Sequence, residues 1–61
     1  MNSTSFLTEA AAAEYLGLSP ATLARWRSRG DYGPAFRKFG GAVRYAMADL
    51  ETYADGAEVR R

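Results

Sequence analysis

The stretch Leu16-Gly17-Leu18-Ser19-Pro20-Ala21-Thr22-Leu23-Ala24-Arg25-Trp26 decides how the rest of the chain is read. Gly17 suits the left-handed residue that closes a helix. Just beyond it, Ser19 offers an N-cap hydroxyl, and Pro20 is a proline whose missing N–H costs nothing in a first turn. One helix stops and another starts within a very tight turn, which predicts a helix-turn-helix.

Upstream, Thr8 is a good N-cap and Glu9 places a carboxylate in the first turn, so the first helix is expected to start there. Ala12, Ala13 and Leu16 fall on its inward side with Tyr15 on the flank, and Leu7 is placed to act as a hydrophobic staple. The second helix is expected from about Pro20 to Ser28, with Gly30 as its C-cap. Leu23 and Trp26 share one face and are expected in the core. Ala21, Thr22, Arg25 and Arg29 line up on the opposite, exposed side.

A polar helix face is ordinarily just solvated. Propped on a preceding helix, however, a short helix can lie in the major groove of double-stranded DNA with its N-terminal side chains against base edges. Arg25 then reaches a guanine or a phosphate, and Thr22 with the helix N-terminal amides holds a phosphate.

Two runs, Ala35-Phe36-Arg37-Lys38-Phe39 and Ala42-Val43-Arg44-Tyr45, flank Gly40-Gly41 and predict a hairpin with a two-residue turn. An isolated hairpin is marginal, so Phe39, Val43 and Tyr45 are expected to pack it on the helices, with Arg37, Lys38 or Arg44 in solvent. A basic hairpin beside a helix-turn-helix is a wing. Its charges either keep a sheet edge soluble or meet phosphates and the minor groove, and taken as a set they favour DNA. A last helix is expected from about Ala48 to Ala54, with Leu50 and Tyr53 inward and Gly56 after its end. The fold class expected is mostly α with a small β-hairpin: three short helices plus a two-stranded wing. A single domain over 6–56 is bracketed by flexible termini at 1–5 and 57–61.

The net charge of +1 over 61 residues conceals a basic centre. Residues 1–24 carry only Glu9 and Glu14, whereas 25–44 carry Arg25, Arg27, Arg29, Arg37, Lys38 and Arg44 against Asp31 alone. Up to six of these cations are expected on one face, and the acidic third helix is expected to point away from phosphates. Cys and His are absent, which removes disulfides, thiolate nucleophiles, the usual zinc ligands and the usual general base. A chain this short has little core to spare for a pocket. No enzyme, no cofactor and no metal site is expected, and with no apolar run long enough for a membrane span, a cytoplasmic protein is the default.

The ordered series Leu7-Thr8, Ala12-Ala13, Leu16-Gly17-Leu18-Ser19, Thr22-Leu23, Arg25-Trp26, Gly30, Phe39-Gly40-Gly41, Val43-Arg44-Tyr45 and Asp49-Leu50 resembles the MerR-like winged helix-turn-helix domain of phage and mobile-element excisionases and AlpA-type regulators. The resemblance runs from about residue 6 to 54. It implies DNA contact through the second helix and the wing, carried onto Ser19, Ala21, Thr22, Arg25 and Arg44, with Arg37 and Lys38 joining them. Two positions depart from the family's pattern. Ala11 stands where a Glu often closes a capping box, and Ala46 to Ala48 offer no side-chain oxygen ahead of Asp49.

The function implied is that of an excisionase, a recombination directionality factor that bends attachment-site DNA for a tyrosine or serine integrase. The alternative is a small AlpA-type transcriptional regulator using the same contacts, and a third reading is a protein-interaction module built on Trp26 and Tyr15. The long dimerising coiled coil and effector domain of full MerR-type regulators find no counterpart here, so no small-molecule ligand is expected. One short reading helix and one wing touch few base pairs, which favours head-to-tail self-association on DNA.

Overall fold

The computed structural model describes residues 5–57; of the termini expected to be flexible at 1–5 and 57–61, residues 1–4 and 58–61 lie outside the described residues. The elements in chain order are β1 (Phe6–Leu7), α1 (Glu9–Leu16), α2 (Pro20–Arg29), β2 (Arg37–Phe39), β3 (Ala42–Ala46) and α3 (Met47–Asp55). The three helices are joined by a three-stranded antiparallel sheet of order β1-β3-β2.

The turn that decides the fold is built as its residues require. Thr8 Oγ1 accepts from Ala11 N at 3.1 Å and opens α1, and Gly17 closes it at φ 75°, a backbone angle that a Cβ disfavours. Leu18 N donates to Ala13 O at 2.8 Å and Gly17 N to Glu14 O at 3.1 Å, the paired bonds of a Schellman ending. Ser19 Oγ then accepts from Thr22 N at 3.2 Å, with Pro20 in the first turn of α2. Gly30 N bonds Trp26 O at 3.0 Å, and α2 ends at Arg29, one residue beyond the expected Ser28.

β1 has no counterpart among the elements that local sequence predicts. Phe6 pairs with Ala46 and Leu7 with Tyr45, so the lead-in to α1 is also an edge strand. Two residues are too few to show a period-2 pattern, and the partner strand lies far along the chain. The pairing also compensates for the uncapped start of α3. Ala46 makes no side-chain cap bond there, but Met47 N donates to Ser5 O at 2.9 Å.

The buried core consists of Ala12, Ala13, Leu23, Tyr45, Ala46 and Leu50, with Leu7, Leu16, Leu18, Trp26, Phe36 and Val43 packed around it. Phe39 is not part of it: its side chain is 52% exposed, contrary to the expected packing on the helices. The register explains why. Val43 and Tyr45 point inward, so Ala42 and Arg44 point outward, and Phe39 lies directly opposite Ala42. Trp26 is partly buried rather than fully enclosed. It meets Tyr32 edge to face at 4.7 Å and Tyr53 at 6.2 Å, which fastens the loop after α2 to α3. Gly33 lies flat on the indole, where an added Cβ would sit 3.0 Å from Trp26 Cε3 and φ is already 96°.

Candidate nucleic-acid interface

α2 presents Ser19, Ala21, Arg25 and Arg29 exposed, with Thr22 half-buried among them. The Ser19 and Thr22 hydroxyls are 3.0 Å apart, and Thr22 N is bonded to Ser19 Oγ. The helix start therefore presents a pair of hydroxyls, since the Thr22 amide is committed to the cap. Arg25 makes no ion pair among the described residues. Arg29 pairs with Asp31 at 3.3 Å, but both side chains are more than half exposed, and such a pair contributes little in water.

Of the up to six cations expected on one face, Arg27 is turned elsewhere. Its Nε donates to Glu9 Oε2 at 2.8 Å and its Nη2 to Glu9 Oε1 at 3.2 Å, a two-pronged ion pair between α2 and the first turn of α1. The Tyr45 hydroxyl donates to the same Oε2 at 2.9 Å, which brings β3 into the arrangement. Helical geometry gives the reason: Arg27 is two residues from both Arg25 and Arg29, and at about 100° per residue it points away from them.

The Arg27 guanidinium, with the Tyr45 hydroxyl, holds the Glu9 carboxyl below its ordinary value despite partial burial. Glu9 in turn raises Arg27. Burial and the neighbouring carboxylate push the Tyr45 phenol up to about 12. All three charges or hydroxyls are spent inside the protein.

The wing splits its cations by strand alternation. Arg37 lies opposite Arg44 on the outer face of the sheet, while Lys38 lies opposite the inward Val43 and points to the other side. Arg44 Nη1 donates to Val43 O at 2.7 Å, which fixes part of its guanidinium. Gly40 takes a positive φ of 64° and Gly41 does not, as in a type II′ turn, so the hairpin tip carries no side chains. Phe6 and Phe39, exposed on the outer face, meet edge to face at 5.3 Å, and the Arg37 guanidinium sits 6.0 Å from the centre of the Phe6 ring.

Two tightly linked helices and a basic wing are the parts of a DNA-binding helix-turn-helix, and the helix-turn-helix domain family matches residues 6–57. The chain belongs to the helix-turn-helix domain family. This helix-turn-helix protein binds DNA, with α1 as the supporting helix and α2 as the second helix of the motif. No curated protein matches the chain. Among the described residues no helix is long and apolar enough to cross a membrane, and no cluster of carboxylates is placed to hold a metal ion.

Proposed function

We propose that this helix-turn-helix protein is a sequence-specific accessory factor for double-stranded DNA, an excisionase that bends attachment-site DNA so that an integrase can excise an element. In this reading α2 enters the major groove. Arg25 contacts a base edge, and Ser19, Ala21, Thr22 and Arg29 lie along the strand backbone. Arg37, Lys38 and Arg44 hold the flanking backbone or minor groove from the wing. The observation that carries the reading is the exposed Arg25, with no ion partner among the described residues, on the side of α2 opposite the buried Leu23.

The resemblance to the excisionase and AlpA-type series favours excision as the setting. The same contacts at a promoter would make the protein an AlpA-type regulator. Excision of a marked element by its integrase, with and without the protein, separates the two roles. Protein-dependent excision supports the proposal, whereas promoter repression with no effect on excision assigns it to transcription.

A monomer of this size covers few base pairs, so specificity is supplied by several copies bound head to tail. Asp49, Glu51 and Asp55 of α3 meet the wing cations of the next copy in this arrangement. Such rim pairs are individually weak, so the free protein is a monomer and cooperativity appears only on DNA. Titration onto duplexes with one, two and three tandem sites tests this point. Equal affinity per site across the series contradicts it.

A further inference from the structure

The outer face of the sheet holds an arrangement that its own packing does not account for. Arg37 and Arg44 are register partners across the β2–β3 ladder, so two guanidinium groups project from directly opposite positions on one face. Like charges so placed are destabilising unless an anion lies between them. Among the described residues no carboxylate forms an ion pair with either one. Beside them lie two aromatic rings, Phe6 and Phe39, which are 42% and 52% exposed and packed edge to face on each other. The Arg37 guanidinium rests over the Phe6 ring, and Arg44 is steadied by its bond to Val43 O, so both cations are held rather than waving in solvent.

We propose that Arg37 and Arg44 form a clamp for one backbone phosphate of DNA, with Phe6 as the positioning residue that presents Arg37 to it. The inference deepens the DNA-binding reading and rests on it. Guanidinium forks suit phosphate oxygens, and two of them aimed from neighbouring strands exchange their mutual repulsion for a shared anion. Phe39 supports Phe6 and does not itself reach the phosphate. Lys38, on the other face of β2, contacts a separate phosphate and is energetically independent of the pair.

The test uses fluorescence anisotropy of the whole protein on a random-sequence duplex across a salt series. Each phosphate contact contributes about −0.9 to the slope of log K against log salt. If Arg37 and Arg44 share one phosphate, the double variant Arg37→Ala/Arg44→Ala flattens the slope by about 0.9; two separate phosphates give about 1.8 and overturn the clamp. Phe6→Leu keeps an apolar side chain but loses the ring. It should weaken binding severalfold in the wild-type background and not at all when Arg37 is already Ala. Phe6→Tyr should restore binding. A Phe6→Leu loss of equal size in both backgrounds overturns the positioning role. An unchanged slope in the double variant, with binding still sensitive to Arg25→Ala, removes Arg37 and Arg44 from the interface while leaving the α2 reading intact. Absence of binding by the wild-type protein removes both.

Discussion

Arg27 Nε and Glu9 Oε2 lie 2.8 Å apart, joining the last turns of α2 to the first turn of α1, and the Tyr45 hydroxyl of β3 completes the arrangement on the same oxygen. The carboxylate thus fixes both helices of the motif and the central strand of the sheet. Its protonation should therefore be visible as a change in stability. The Arg27 bond depresses the folded-state pKa of Glu9 below the ordinary 4.5, so its stabilising contribution is present above about that pH and lost as pH falls through the folded value. Urea midpoints for the wild-type protein and Glu9→Gln should differ at pH 7 and converge on acidification below about pH 4.5. A gap that stays constant down to the acid limit argues against the ion pair.

Tyr45 gives the opposite sign at high pH. Its phenol is raised from 10.0 to about 12, so the folded state retains the proton, and the contribution is complete below pH 10 and lost as pH rises through about 12. Tyr45→Phe keeps the ring in the core and removes the bond to Glu9. It should cost about 1–3 kcal/mol at neutral pH, as expected for a hydrogen bond to a charged group. Denaturant midpoints between pH 9 and 12 should fall more steeply for the wild-type protein than for the variant. Parallel curves would show that Tyr45 ionises freely.

The loop between α2 and the wing depends on the indole of Trp26. Gly17 and Gly33 both have positive φ, but only Gly33 also presses on a neighbour, Trp26. Gly17→Ala should cost about 1 kcal/mol, from backbone strain alone. Gly33→Ala adds overpacking against the ring and should cost about 2–4 kcal/mol. Trp26→Ala should cost about 3–5 kcal/mol, enough to unfold many domains of this size. Thermal unfolding of the three variants checks the order, which fails if Gly17→Ala proves the more damaging glycine change.

How much of this was legible in the sequence depended on the range of the interaction. Thr8, Gly17, Ser19 and Pro20 act on residues within a turn of themselves, so the first two helices and their junction followed from local chemistry. Gly40-Gly41 located the hairpin for the same reason. β1 did not follow, because Phe6 and Leu7 become a strand only through Ala46 and Tyr45. The outward side of Phe39 was equally hidden, since apolar character suggested core, whereas register placed it beside Phe6. The spacing of four places Arg25 and Arg29 on one exposed side of α2. That same spacing should have separated Arg27, but its partner Glu9 belongs to a contact that only the packed helices create.

Base reading and phosphate gripping can be told apart at single residues. Arg25→Ala should cost roughly 1–3 kcal/mol on a selected high-affinity duplex and relax sequence preference there. Lys38→Ala should weaken selected and random duplexes alike. Competition binding on the two DNAs measures both effects. Equal losses on both DNAs for Arg25→Ala would show that it grips only phosphate.

The central claim is that a specific subset of the basic residues meets DNA while Arg27 is retained inside the protein, and the salt dependence of duplex binding tests it most directly. Three phosphates are expected, one through the Arg37 and Arg44 clamp and one each through Lys38 and Arg29, with Arg25 on a base edge. The slope of log K against log salt should then be about −2.7, at about −0.9 per phosphate. Arg27→Ala should destabilise the fold, yet leave that slope unchanged at temperatures where the variant remains folded. A slope near zero, or a slope that flattens by about 0.9 in folded Arg27→Ala, would contradict the account.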